Sequence, residues 1–259
     1  MSLTIIFSTR EVDRGFIGHL QSTVGVPGVQ IVPYVNNNEF SLAQIYNRGL
    51  RAAENDIVVF LHDDIIFDNC GWGTRLLSQF RDTDFGILGV AGTTRLAKDG
   101  EGIIARWWGG GPGSGVGRVR HLVDGRYLPG QAYKYRGPVE VICLDGVFLA
   151  VDRNKIREIF DERFPGFHFY DLPFTFRNHL AGVKVGVTFE VNLTHKSVGV
   201  LSEDWNRGRI RFTELYGEYV PYSIPHVTGP LRYFDLGNLK NYVRIWYGRH
   251  IGWRFKHLK

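Results

Sequence analysis

The chain has 259 residues, 44% of them hydrophobic and 14% aromatic, enough to bury one large core, and the reading is a single globular domain with a C-terminal appendage. A formal net charge of +5 is too small to choose among acidic substrates, anionic lipid and nucleic acid. The two cysteines, Cys70 and Cys143, have neither metal-ligand spacing nor a disulfide framework, and the most apolar windows are broken by acids well short of the roughly 20 residues a membrane span needs, which excludes a cysteine-built metal site and an integral membrane protein. MSLTIIFSTR lacks a basic region followed by a long apolar stretch, so no secretion signal is read and a reducing, cytoplasmic setting is expected.

In chain order, LTIIFST reads as a strand and QIVPYV as a second, with the polar Asn36 to Asn38 as the loop after it. SLAQIYNRGLRAAEN carries Leu42, Ile45, Tyr46, Leu50 and Ala53 near helical period, with Ser41 as its N-cap. IVVFL, residues 57–61, is a continuous β-branched and aromatic run of the kind covered on both faces of a parallel sheet. A helix in GWGTRLLSQFRD and a strand in GILGVAG complete an alternation that predicts an α/β, Rossmann-like sheet. Ligands of such sheets bind beyond the carboxyl ends of the strands, where Thr9, Asn36 and the triplet His62, Asp63, Asp64 fall.

Residues 109–117, GGGPGSGVG, read as a mobile loop or lid, since neither a phosphate-cradling loop nor a dinucleotide fingerprint has its required flanks. VEVICLDGVFLAVDR gives two strands about an Asp-Gly turn, followed by a helix expected from about Asn154 to Phe160. GFHFYDLPFTFRNHLAG enters a helix with Asp171 in the N-cap region and Pro173 in the first turn, and GVKVGVTFEVNLTH is a strand pair ending on His195. Adjacent carboxylates after the buried run at 57–61 repel each other and lose hydration, so a compensating cation is expected there.

The order of NNNEFSLAQIYNRGLRAAENDIVVFLHDDI, LDGVFLAVDR, FDERFPGFHFYDLPFTFR and LTHKSVG resembles bacterial family-2-like glycosyltransferases of the GT-A fold, over residues 3 to about 200. The resemblance implies an α/β, mixed and mainly parallel sheet flanked by helices, spanning residues 1–236, with a nucleotide-binding half (about 1–105) and an acceptor half (about 130–236). FLHDD stands at the family's Asp-x-Asp position, which implies a divalent-cation ligand at Asp64, with His62 in place of the first aspartate. Tyr170-Asp171 stands at the Glu-Asp motif, which implies Asp171 as general base and places Tyr170, with Asp145 and Gly146 of the LDG turn, on the acceptor side. Ser8, Thr9, Arg10, Asn36, Asn47 and Asp63 fall where the family contacts the nucleotide.

The chemistry asks for these residue types. A nucleotide-sugar donor leaves as a charged diphosphate, which a hard divalent cation neutralises. Magnesium and manganese both accept carboxylate oxygen, and manganese also tolerates imidazole, so Asp64 with His195 or His62 favours manganese over magnesium. In an extended segment His62 and Asp64 share a face and Asp63 points elsewhere. The acceptor hydroxyl loses a proton as it attacks, and a carboxylate raised in pKa by aromatic neighbours suits Asp171 to take it. From spacing alone, Asp63, Asp64 and Asp171 read equally as helix caps, Asp145-Gly146 as a plain turn, and His195 as a structural histidine.

Residues 237–259, GNLKNYVRIWYGRHIGWRFKHLK, form a basic aromatic appendage without an acid. It suits peripheral contact with the inner face of a membrane, near a lipid-linked acceptor, and equally a helix packed on the core with a solvated basic face. No nucleic-acid module accompanies it. The function expected is metal-dependent transfer, by inversion, from a UDP- or dTDP-linked sugar to a polysaccharide or lipid-linked acceptor. A noncatalytic nucleotide-sugar or carbohydrate-binding protein that kept the fold is the alternative, because His62 and Tyr170 replace acids; a nucleotidyltransferase would need a glycine-rich basic signature that IIFSTREVD lacks.

Overall fold

The computed structural model describes residues 2–105, 114–128, 133–199, 201–225 and 231–234. The appendage at 237–259 and residues 109–113 of the glycine-rich segment lie outside the described residues. The chain runs β1 (Leu3–Thr9), α1 (Arg14–Val24), β2 (Gln30–Val35), α2 (Leu42–Ala52), β3 (Ile57–Leu61), β4 (Ile65–Phe67), α3 (Trp72–Asp82), β5 (Ile87–Gly89), β6 (Ala91–Thr93) and β7 (Arg95–Leu96). It continues through β8 (Gly115–Gly117), β9 (Arg120–Val123), β10 (Arg126–Leu128), β11 (Tyr133–Tyr135), β12 (Val139–Glu140), β13 (Cys143–Leu144) and β14 (Phe148–Asp152). The last elements are α4 (Asp171–Leu180), β15 (Val185–Val187), β16 (Leu193–His195), α5 (Glu203–Tyr216), β17 (Tyr222–Ser223) and β18 (Leu231–Phe234).

The main sheet has seven strands in the order β12-β15-β5-β14-β3-β1-β2. β1 pairs in parallel with β2 and β3, and β15 with β5, whereas β14 runs against both its neighbours and β12 against β15. The sheet is therefore mixed with most strands in one direction, and it joins strands from both halves of the chain. The pleat of β3 explains its unbroken apolar run: Ile57, Val59 and Leu61 enter one core with α1 and α3, while Val58 and Phe60 enter a second core with α2. Ser41 caps α2 through a capping box with Gln44.

A smaller sheet, β10-β9-β16-β4, stands beside the carboxyl end of β3. Its register sets the site, because β16 pairs antiparallel with β4, opposing His195 to Ile65, and in parallel with β9, opposing His195 to His121. The N–H of Lys196 donates to the Asp64 carbonyl at 2.9 Å, and that of His62 to Val147 at 3.2 Å, so the β3–β4 turn is held at both ends.

Three expectations about elements change. Residues 156–160 form no helix, because two buried asparagines take their backbone groups: Asn178 Oδ1 accepts from the N–H of Arg157 and Glu158, and Asn47 accepts from Phe160 N–H and donates to its carbonyl. A backbone satisfied from outside has no need of i to i−4 bonds. The glycine-rich segment ends in a strand, β8, paired with β6. Helices α1 and α5 are additional; α5 buries only Phe212 and Tyr216 among charged residues, so its apolar period is faint.

Candidate active site

Three side chains converge where β3 ends and β16 ends. His62 Nδ1 is 3.2 Å from His195 Nε2, and His195 Nε2 is 2.9 Å from Asp64 Oδ1. One nitrogen or oxygen from each of these residues lies within 4.8 Å of the others. Ser197 Oγ also lies 3.1 Å from His195 Nε2. An imidazole nitrogen offers one hydrogen or one lone pair, so three polar neighbours exceed its capacity for hydrogen bonds. Two imidazole nitrogens and a carboxylate oxygen drawn together in this way fit a divalent metal ion.

The electrostatics agree with that fit. Burial alone would raise the Asp64 carboxyl, but the hydrogen bond and charge of His195, with a bond from Ser197, hold it at about 2. Burial lowers the pKa of His62, and the neighbouring His195 lowers it further, which keeps a lone pair available. Asp63 is exposed on the turn and outside the cluster, as the alternation of the segment predicts.

The second part of the site is Asp171, the first residue of α4. Its Oδ2 accepts the N–H of Gly146 at 2.7 Å, and its Oδ1 the N–H of Leu172 at 2.8 Å. Burial and then the charge of Asp145 push its carboxyl up to about 7, against the pull of those amides, which places it near neutrality as a base. The preceding Phe169 sits at φ 58°, a left-handed conformation that costs an aromatic residue energy. Packing holds it there: the ring is buried against Trp205 and Phe212, over Gly208 of α5, where a Cβ would come within 2.5 Å of it.

A cavity of about 280 Å³ opens beside His121 and Asp145. Ala91, Gly92, Gly115, Gly117 and Val119 give it small walls, Arg118 and His121 one polar side, and Asp145 another. The His121 ring centroid is 5.5 Å from that of His195, and its Nδ1–H donates to the Ser197 carbonyl at 2.7 Å. The sequence reading passed over His121, which sits in a four-residue strand, RHLV, too short to show a period.

Several expected contacts are placed differently. Asn47 is 1% exposed and its amide is committed to Phe160 and Glu162, so it is a core clamp and does not reach a nucleotide. Asn36 is buried with its amide folded onto Glu39 and Phe40, and Thr9 turns its hydroxyl to the Glu11 carbonyl; both shape the loops beyond β1 and β2. Ser8 is half-buried and Arg10 exposed at the same strand end. Tyr170 is 4% exposed, and its hydroxyl lies 2.8 Å from His62 Nε2, turned toward the His62–Asp64–His195 cluster. Asp145 lines the cavity, and Gly146 is buried beneath the Tyr170 ring.

A mixed sheet flanked by helices is the fold of GT-A glycosyltransferases. The profile of the family described as "Glycosyltransferase like family" matches residues 16–216. The chain belongs to that family and is a transferase of glycosyl groups. Among solved structures, it is similar to GalNAc-T7 with UDP, GalNAc and Mn2+, at 8% identity and TM-score 0.54 over 99% of this chain and 57% of that one. It is also similar to residues 1–349 of S. aureus TarS with UDP-GlcNAc (14% identity, TM-score 0.48, 80% of this chain and 64% of that one). A third likeness is a Drosophila β-1,4-galactosyltransferase 7 mutant with manganese, UDP-Gal and xylobiose (16%, TM-score 0.45, 88% and 82%). The chain thus spans less than two thirds of the GalNAc-T7 and TarS chains. A search of curated proteins returned no match. Among the described residues no helix is long and apolar enough to cross a membrane.

Proposed function

We propose that the protein moves a sugar from a UDP- or dTDP-linked donor to a saccharide or lipid-linked saccharide in surface-polysaccharide assembly, with inversion at the anomeric carbon. The observation that carries this reading is the cavity between His121, which lies against the Asp64–His62–His195 cluster, and Asp145, whose turn holds Asp171. The solved likeness to GalNAc-T7 with UDP, GalNAc and Mn2+ supports the donor class.

Asp64, His195 and His62 would hold a divalent cation, manganese or magnesium, which when bound supplies positive charge against the departing diphosphate. His121 and Arg118 border the space for the donor sugar, and the glycine walls let a ring lie close to the backbone. Asp171 Oδ accepts the proton of the acceptor hydroxyl as its oxygen bonds to the anomeric carbon and the bond to the diphosphate breaks. Gly146 and Leu172 N–H groups keep that carboxylate oriented.

Incubation with manganese, a panel of nucleotide sugars and saccharide acceptors tests the reading. Turnover of one UDP- or dTDP-sugar with a glycoside product of inverted configuration is expected. A protein that binds the donors and neither hydrolyses nor transfers them would overturn it.

A further inference from the structure

Two residues that depart from the acids of related motifs, His62 and Tyr170, touch each other. We propose that Tyr170 is a positioning residue: its hydroxyl oxygen accepts a hydrogen bond from the Nε2–H of His62 and so leaves the Nδ1 lone pair for a cation shared with Asp64 and His195. This rests on the divalent-cation reading above.

The two ring nitrogens of His62 have separate partners. Nδ1 faces the cluster, 3.2 Å from His195 Nε2, and Nε2 faces the Tyr170 hydroxyl at 2.8 Å. A neutral imidazole carries one proton, and a ligating nitrogen must have none, so the cation-bound form places the proton on Nε2. A phenol oxygen both donates and accepts, and its hydrogen rotates to suit. It can therefore take that proton's hydrogen bond when Nδ1 is a ligand. Groups behind a ligating histidine commonly set its tautomer and ring orientation.

The hydroxyl is presented rigidly. Tyr170 is 4% exposed, and its ring meets Tyr46 edge-on at 5.4 Å and Phe160 at 6.4 Å. Tyr46 in turn donates to the carbonyl of Leu61, the residue before His62, at 3.3 Å. On its other side Tyr170 lies flush on Gly146, where a Cβ would fall 2.1 Å from the hydroxyl oxygen. That glycine's N–H holds Asp171 Oδ2, so one tyrosine braces a cation ligand and packs on the amide that orients the base.

Manganese alone, titrated into the full chain and followed by the EPR signal of the free ion, tests this without reference to transfer. Tyr170→Phe keeps the ring and removes the oxygen; a manganese affinity about 10- to 100-fold weaker is expected, with the melting temperature of the metal-free protein retained. Equal affinity in the variant and the wild type would overturn the inference alone. No manganese binding by the wild type would remove the cation reading and this inference with it. A measurement on the unaltered protein guards against a variant that fails to fold: with magnesium bound, long-range nitrogen–proton NMR should show His62 protonated at Nε2, and protonation at Nδ1 would overturn the inference.

Discussion

Asp171 Oδ2 and the Gly146 N–H are 2.7 Å apart, so the base on α4 and the turn carrying Asp145 act as one unit. The turn both orients the carboxylate through an amide and raises its pKa through the Asp145 charge. Asp171→Asn keeps the shape but removes the basic oxygen and leaves one acceptor for the two N–H groups of Gly146 and Leu172, so the variant's melting temperature is measured beside its activity. Transfer should fall by about 10²- to 10⁴-fold, the usual share of a positioned base, with little change in donor binding by calorimetry.

In the proposed mechanism the ionised Asp171 is the active form, so the rate should rise with pH through about 7 and level off above it. The sign for stability is opposite. A carboxyl whose folded pKa lies above its unfolded value stays protonated in the fold while the unfolded chain ionises, so stability falls as pH rises from about 4 through about 7 and is flat beyond. Asp145→Asn removes one of the two causes of the raised pKa, and the acid limb of the rate profile should move to lower pH. An unmoved limb would assign it to another group.

Asp64→Ala should abolish manganese binding and reduce transfer to background, and chelator should do the same to the wild type until manganese is restored. The low pKa of the Asp64 carboxyl, about 2 with His195 against it, means that its contribution to stability in the metal-free protein is present above the unfolded carboxylate range and is lost as pH falls toward 2. Metal-free Asp64→Ala should therefore show a weaker loss of melting temperature on acidification than the wild type. Transfer by Asp64→Ala at the wild-type rate would sink the assignment.

The fold was legible where side-chain period and burial coincide. The limits expected for IVVFL, QIVPYV and the Ser41-capped helix match the observed ones to within a few residues; IVVFL and the helix bury continuous faces, and QIVPYV, an edge strand, is half-buried and carried by its β-branched and aromatic content. The 154–160 segment misled because Ile156 and Phe160 sit at helical spacing, whereas its backbone is held by asparagines 20 and 113 residues away in sequence. Asp64, His62 and His195 were found through the ends of strands, yet their union depends on the β4–β16 register, which no local pattern encodes. His121 enters by the same register and had no local signal.

That distant clamp gives a stability test. Asn178 Oδ1 accepts from two backbone N–H groups, and its Nδ2 donates to the carbonyls of Glu158 and Phe174. Asn178→Ala strands these groups in a fully buried position, and each costs about 1–3 kcal/mol when left unpaired. Denaturant unfolding should show a loss of at least about 2 kcal/mol, and Asn178→Asp, which sets a carboxylate oxygen against the Glu158 and Phe174 carbonyls, should also be destabilised. A loss within experimental error for Asn178→Ala would mean that water replaces the amide.

The glycine walls of the cavity allow its occupant to be tested by size. Gly92 and Gly117 cannot carry a side chain, because a Cβ would meet backbone oxygens of Cys143 and Val90 at 2.4 and 2.2 Å, and changes there would damage the fold. Gly115 differs: a Cβ at this position meets nothing within 4 Å, and the residue lines the same cavity. Gly115→Leu should leave the melting temperature near that of the wild type while filling space meant for a sugar ring. If the donor sugar lies there, kcat/KM should fall by roughly 10- to 200-fold, the range set by one misplaced group in a fitted pocket. A pentosyl donor, smaller by one exocyclic carbon, should suffer less than the matching hexosyl donor. Undiminished transfer by Gly115→Leu would place the sugar outside this cavity, and an equal loss for both donors would mean that the leucine blocks the acceptor's approach and not the sugar itself.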